Sequence, residues 1–97
     1  MPAINLQPFN TIALTTAAQQ LTIPSGGHFY AQILNLGPGN MFIKNAGTVA
    51  AGDAASFELP LGLTFTPYVQ GGANVTGGLW VCADAAGKCS IALVPRN

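Results

Sequence analysis

The chain has 97 residues with three basic and three acidic ones, so its formal net charge is zero and only 6% of it is charged. This length supports one domain with a small core, and three positive charges exclude the basic footprint of a nucleic-acid-binding protein. The apolar runs are all shorter than the roughly 18 residues of a spanning helix, which excludes a helical membrane protein.

The first segment, residues 1–20, lacks the basic stretch and hydrophobic block of a secretory signal, so we expect synthesis in the cytoplasm. Pro2 and Pro8 disfavour a place in the centre of a sheet. We therefore expect an extended contact arm or edge strands. The candidates for an intermolecular interface are its apolar residues: Ile4, Leu6, Phe9, Ile12 and Leu14.

Short β-prone runs then alternate with clusters of Gly, Pro and Asn: TIALTT, QQLTI, HFYAQILNL, MFIKNA, TFTPYVQ, GLWVCA and CSIALV. A period of two places Phe29, Ala31 and Ile33 on one face of a strand, opposite Tyr30, Gln32 and Leu34. Turn signals every ~8–12 residues are typical of all-β sandwiches and barrels. The sequence predicts an all-β, single-domain antiparallel β-sandwich over residues 1–97, jelly-roll-like or immunoglobulin-like.

Two turns are predicted around the run MFIKNA. Gly37-Pro38-Gly39 combines a fixed proline dihedral with two permissive glycines, and it predicts a hairpin between HFYAQILNL and MFIKNA. Asn45-Ala46-Gly47 predicts a second reversal. The segment TVAAGDAASFE is predicted to be a loop or an irregular edge, because Gly52 interrupts it and no amphipathic stripe emerges.

The two cysteines flank a predicted hairpin. Asp84-Ala85-Ala86-Gly87 resembles a four-residue hairpin loop in which Gly87 takes a left-handed conformation. This pairing places Cys82 opposite Cys89, near the separation that a disulfide requires. A disulfide and two buried thiols remain alternatives. We expect no metal site, because two Cys and the distant His28 are an incomplete ligand set.

Catalytic groups are sparse. His28 is the only histidine, and Asp53, Glu58 and Asp84 form no spaced carboxylate pair. The Gly-rich segments lack the Lys-Ser/Thr continuation of a phosphate-binding loop. We therefore expect neither enzymatic activity nor a cofactor. Trp80, Tyr30 and Tyr68 are candidates for stacking on a sugar, although aromatic residues in strands more often belong to a core or an interface.

The low charge has two interpretations. Residues 1–43 contain no Asp, Glu, Lys or Arg, whereas about 25% of the residues of an ordinary soluble domain are charged. The simpler interpretation is a surface of Thr, Ser, Asn, Gln and Gly. We favour a surface that contacts other subunits, because a free monomer usually keeps a charged surface to remain soluble.

Four short motifs resemble a pattern in small β-sandwich proteins of tailed bacteriophage particles. They are Asn35-Leu36-Gly37-Pro38, Met41-Phe42-Ile43-Lys44, Leu59-Pro60-Leu61-Gly62 and Gly78-Leu79-Trp80-Val81. The resemblance extends over residues 31–94 and consists mainly of turn and core positions. The two cysteines are not part of the pattern, and the N-terminal thirty residues do not match it.

The resemblance implies a capsid decoration or cement protein. Such a protein binds the outer surface of the capsid and stabilises contacts between major capsid subunits. The expected partners are the major capsid protein and copies of the chain itself, and the expected location is the virion, after synthesis in the host cytoplasm. The alternative function is a carbohydrate- or receptor-binding β-module of a tail or fibre.

Overall fold

The computed structural model describes residues 4–23, 28–44, 48–70 and 79–95. All regular structure in these residues is β-strand, which confirms the all-β prediction. The strands are β1 (Ile4–Asn5), β2 (Phe9–Leu14), β3 (Gln19–Thr22), β4 (His28–Gly37), β5 (Met41–Lys44), β6 (Phe57–Leu59), β7 (Thr64–Phe65), β8 (Tyr68–Gln70), β9 (Leu79–Ala83) and β10 (Gly87–Pro95).

The strands form two sheets that pack face to face. Sheet A has the order β1-β3-β9-β5-β6, and sheet B has the order β2-β10-β4-β7, with β8 also paired to β4. Pairing is antiparallel except between β1 and β3, which run parallel. The architecture is therefore a small β-sandwich, as the sequence predicts.

Alternate residues of both sheets fill the space between them. In β4 the inward residues Ala31 and Ile33 are fully buried, while Tyr30 and Gln32 face outward, which confirms the predicted alternation of this strand. The other principal core residues are Leu21, Met41, Ile43, Leu59, Val81, Ala83, Cys89, Ile91 and Leu93. The apolar area that these residues remove from water is the main source of stability in a sandwich of this size.

The chain usually changes sheet at a turn. Among the described strands, only β5 and β6 are consecutive in sequence and also pair with each other. The predicted hairpin at Gly37-Pro38-Gly39 is therefore wrong, because β4 lies in sheet B and β5 lies in sheet A. The turn instead connects the two sheets. Asn45-Ala46-Gly47 lies outside the described residues, and residues 48–56 form a loop without a helix, as predicted.

The hairpin between the two cysteines is wrong for the same reason. Strand β9 belongs to sheet A and β10 to sheet B, so that Cys82 pairs with Phe42 and Cys89 pairs with Ile12 and Asn35. The Cys89 side chain lies in the core between the sheets, whereas Cys82 packs in a separate cluster on the outer face of sheet A. Both are free, buried thiols, which contradicts the disulfide alternative.

Two of the turns that connect the sheets, residues 37–40 and 84–87, pack against each other. The backbone N–H of Asn40 donates to Asp84 Oδ1 at 2.9 Å, and the Asp84 N–H donates to the Asn40 carbonyl at 3.1 Å. Gly87 does not take the predicted left-handed conformation. Glycine is required there because a Cβ atom would lie 2.2 Å from the Gly37 carbonyl oxygen.

The N-terminal segment supplies edge strands to both sheets. Strand β1 lies at one edge of sheet A, and β2 lies at one edge of sheet B. Leu6, Ile12 and Leu14 are buried in the core, so their assignment to an intermolecular interface is wrong. Ile4 packs partly buried against the same core, and Phe9 is 84% exposed.

Candidate binding face

The outer face of sheet A is covered by the protein's own chain. Phe42 and Cys82 are buried there together with Val49, which comes from the loop between β5 and β6, and Ala18 and Trp80 pack against them. This face is therefore a second, smaller core. It leaves few apolar side chains on that side for a partner to contact.

The outer face of sheet B has no such cover among the described residues. One row of register partners crosses it through Thr11, Ser90, Leu34 and Thr64. A second row contains Phe9, Ala92 and Gln32, and a third contains Val94, Tyr30 and Tyr68. We call these side chains, together with Ala13, Leu36 and Lys88, the open face.

The open face is almost uncharged. Lys88, on β10 at one end of the face, is its only ionisable Lys, Arg, Asp or Glu within the described ranges. Lys44, Asp53 and Glu58 belong to β5, β6 and the loop that joins them on the sheet A side, and Asp84 lies in a turn. The described charges thus lie mostly away from the open face, while Phe9, Tyr30, Leu36, Tyr68 and Val94 remain substantially exposed on it.

One end of the open face is aromatic. The Tyr30 and Tyr68 rings lie tilted at 57° with their centroids 6.0 Å apart. His28 stacks beside Tyr68 with centroids 6.1 Å apart, and its Nδ1 is hydrogen-bonded to the Tyr68 hydroxyl. Trp80 is not part of this group, because it packs on the outer face of sheet A. The structure therefore brings together two of the three aromatic residues that the sequence proposes for sugar stacking.

Apolar exposure continues beside the open face, where β6 and β7 lie. Phe57 of sheet A and Phe65 of sheet B stack with centroids 4.1 Å apart and interplanar angle 15°. Leu61 and Leu63, in the connection between these strands, are each 55% exposed. Phe65 packs partly buried against the core, so the exposed apolar side chains of this group are Phe57, Leu61 and Leu63.

Each described carboxylate has a structural partner. Asp53 accepts hydrogen bonds from Lys44 Nζ at 2.9 Å and from the Ala55 N–H at 2.9 Å, and these two contacts lower the pKa of its carboxyl. Glu58 accepts from Asn40 Nδ2 at 2.7 Å. No group of three or more His, Cys, Asp or Glu side chains able to hold a metal occurs within the described part of the chain.

The cysteine thiols lie in apolar surroundings. Burial raises the pKa of Cys89 to about 12. Burial and, to a smaller extent, the negative charge of Asp53 raise the pKa of Cys82. Because the thiolate is the reactive form of cysteine, these environments suppress nucleophilic chemistry at both positions.

Comparison with protein-family models, with curated proteins and with solved structures found no match to this chain. In the described residues, no helix has the length and apolar character needed to cross a membrane. The arrangement described above presents exposed neutral side chains side by side on one sheet. The sequence pattern identified Tyr30, Gln32 and Leu34 as one face of a strand, but it did not show that this is the face without cover in the described part of the chain.

Proposed function

We propose that this chain is a structural virion protein of a tailed bacteriophage, and that the open face binds the outer surface of the capsid. In this role it acts as a decoration or cement protein that stabilises contacts between major capsid subunits. The single observation that supports the proposal most directly is the exposure of mostly neutral side chains over the open face, within the described residues. Contiguous exposed apolar patches on a soluble domain are typical of interaction sites.

The chemistry of the open face defines the partner. Tyrosine and aliphatic side chains with Thr, Ser and Gln between them fit a neutral protein surface with exposed apolar groups and backbone hydrogen-bonding groups. A strongly acidic or basic partner would gain little, because Lys88 is the only charge on the open face among the described residues. The major capsid protein and further copies of the chain are the proposed partners, and the virion surface is the proposed location.

The proposed role is not enzymatic. The carboxylates of Asp53, Glu58 and Asp84 serve contacts within the fold, and the thiols are buried. A protein that stabilises a shell needs a rigid, complementary surface and no reactive group. Asn35 belongs to the first of the four motifs that carry the phage resemblance. It is buried and hydrogen-bonded within the fold, so this motif has a structural role and not a catalytic one.

A binding experiment with two matched variants tests the proposal. Particles purified from the source lysate are expected to contain the chain in a fixed ratio to the major capsid protein. Gln32→Glu places a negative charge in the open face without changing side-chain shape. Gln20→Glu makes the same change on sheet A, where Gln20 pairs with Trp80.

Both variants and the unmodified chain are incubated with particles that have been stripped of the protein, and bound and free fractions are separated by sedimentation. We expect Gln32→Glu to weaken binding about tenfold or more, because a buried, unpaired charge is costly at an interface. Gln20→Glu should bind as the unmodified chain does. Absence of the chain from particles, or equal binding by both variants, would overturn the proposal.

The aromatic end of the open face supports one alternative, a carbohydrate-binding module of a tail or fibre. Tyr30 and Tyr68 present rings beside a hydrogen-bonded His28, and an aromatic ring next to polar groups suits a sugar. Glycan-array binding that is lost in Tyr68→Ala, together with absence of the chain from capsids, would favour this alternative. Trp80 is excluded from such a platform by its position on the other face.

A further inference from the structure

The edges of the two sheets differ in how they are protected against pairing with another strand. At the edges of sheet A, β1 has two residues, and β6 has three and includes Glu58. At one edge of sheet B, β7 and β8 have two and three residues with Pro67 between them. Short strands, charges and prolines are the usual means of blocking an edge. Strand β2 has six residues, FNTIAL, with neither a charge nor a proline.

The backbone of β2 has a defined hydrogen-bonding phase. The Leu93 N–H donates to the Pro8 carbonyl at 2.9 Å, and Phe9 is the register partner of Ala92. In an antiparallel ladder, alternate residues direct their N–H and C=O groups to opposite sides. Asn10, Ile12 and Leu14 therefore face β10. Phe9, Thr11 and Ala13 direct their backbone groups to the outer edge, where no strand pairs with β2 in the described ranges.

We propose that β2 pairs with β2 of a second copy of this chain, antiparallel and about a two-fold axis at Thr11. Residues that lie opposite each other in an antiparallel pair are on the same face of the sheet. An odd-numbered residue of β2 must therefore lie opposite an odd-numbered residue of the second copy. The register centred on Thr11 places Phe9 opposite the partner's Ala13. It uses the outward N–H and C=O groups of all three residues, whereas a shift by two positions leaves some of them unpaired.

The side chains fit this register. On the outer face, the 84% exposed ring of Phe9 lies over the small side chain of the partner's Ala13. Thr11 lies opposite itself, and Thr–Thr pairs are favourable across antiparallel strands. The strand carries no charge that the two-fold axis would bring against its own copy.

Pairing at β2 would join sheet B of both copies into one continuous sheet. The two open faces would then lie on the same side, so that a dimer presents twice the area of one chain to a single partner. The inference rests on the edge geometry alone and does not depend on capsid binding.

Cysteine cross-linking of the purified full chain tests the register. Thr11→Cys places a thiol on the two-fold axis, within reach of the partner's thiol, because residues opposed in an antiparallel pair lie at a disulfide-compatible separation. Ala13→Cys is the matched control on the same strand and face, since the register places it opposite the partner's Phe9. Under mild oxidation we expect disulfide-linked dimers with Thr11→Cys and few with Ala13→Cys. Equal cross-linking of the two variants would overturn the register.

Sedimentation equilibrium without capsids tests the dimer itself. The unmodified chain should dimerise, and Thr11→Lys should raise the dissociation constant about tenfold or more, because like charges would face each other across the axis. Thr64→Lys makes the same change at the opposite edge of sheet B and should leave dimerisation unchanged. Thermal melts establish that both variants fold. A monomeric unmodified chain, or equal constants for both lysine variants, would overturn this inference and leave the capsid proposal standing.

Discussion

Asn35 of sheet B donates a hydrogen bond from Nδ2 to the carbonyl oxygen of Leu59 in sheet A, at 2.9 Å. The same amide nitrogen donates to the Gly39 carbonyl at 2.8 Å, and Oδ1 accepts from the Gly37 N–H at 2.8 Å. Asn35 is fully buried. One side chain thus connects the two sheets and also fixes the turn by which the chain passes between them.

Replacement of Asn35 by alanine should destabilise the fold by about 3 kcal/mol or more, because several buried backbone groups lose their partner and each costs roughly 1–3 kcal/mol. Urea unfolding followed by tryptophan fluorescence measures the change. Asn5→Ala is the matched control, since Asn5 is exposed on an edge strand and should tolerate the change within about 0.5 kcal/mol. A loss of less than about 1 kcal/mol for Asn35→Ala would contradict this account.

Periodicity predicted most of the strands and the inward residues of β4, because the alternation of a buried strand face depends only on neighbouring residues in the sequence. It did not predict β1 or β6, which are too short to show an alternation. The same periodicity also places Asn35 on the buried face of β4. The residue continues the inward series of Ala31 and Ile33, and a polar residue in such a phase signals a buried, fully hydrogen-bonded group. The sequence could therefore have indicated Asn35 as a structural centre.

The connections between strands could not be predicted in the same way. Gly37-Pro38-Gly39 and the turn at Asp84 carry residues that reverse a chain, but the same residues serve a hairpin or a crossing between sheets. Which occurs depends on the register partners of β5 and β9, which come from distant parts of the chain. The exposure of the open face could not be predicted either. It depends on which sheet the Val49 loop covers, and that loop packs on sheet A.

The turn at Gly87 lies so close to the turn at Gly37 that a side chain at position 87 is expected to clash with it. An alanine Cβ at this position would lie 2.2 Å from the Gly37 carbonyl oxygen, and backbone atoms have little room to move away. Gly87→Ala should destabilise the fold by roughly 1–3 kcal/mol, the range of overpacking. Gly52→Ala is the comparison: its φ is +80° with open space around it, so only backbone strain of about 1–2 kcal/mol is expected.

Thermal melts of both glycine variants separate the two effects. Substitution by serine should cost about the same as alanine at position 52, because the strain depends on φ and not on side-chain size. At position 87 serine should cost more than alanine, since the added atom enters an occupied space. Equal costs for alanine and serine at position 87 would argue against steric contact as the cause.

The ion pair between Lys44 and Asp53 predicts an acid-dependent loss of stability. The hydrogen bond from Lys44, followed by that from the Ala55 N–H, lowers the pKa of Asp53 in the folded state. The stability that the ionised Asp53 carboxylate adds to the fold is therefore fully present above the unfolded-state pKa of about 3.9. It is lost as the pH falls through the lower folded-state pKa. Lys44→Met should flatten the dependence of stability on pH below about 4, as measured by urea unfolding. Lys88→Met should keep the slope of the unmodified chain.

The separation of the two cysteines predicts that they stay reduced. Cys82 lies on the outer face of sheet A and Cys89 lies between the sheets. Intact mass after alkylation in denaturant should show two modified thiols in protein stored under air, with or without prior reductant. In the folded protein, both should react slowly with an uncharged alkylating reagent. A mass that shows neither thiol modified without reductant would contradict the placement of the two strands in different sheets.

Burial of the Cys89 thiol predicts a loss of stability at high pH. The pKa of Cys89 is raised from an ordinary 9.0 to about 12 by burial. Between these values the unfolded chain loses the proton while the folded chain keeps it, so the free energy of unfolding decreases as the pH rises. Cys89→Ala removes the thiol, so its free energy of unfolding should decline less steeply between pH 9.0 and about 12. At neutral pH the variant should be less stable than the unmodified chain, because it leaves a small cavity. Urea unfolding across this range measures both slopes. Parallel slopes would show that the Cys89 thiol ionises as readily in the folded chain as in the unfolded one.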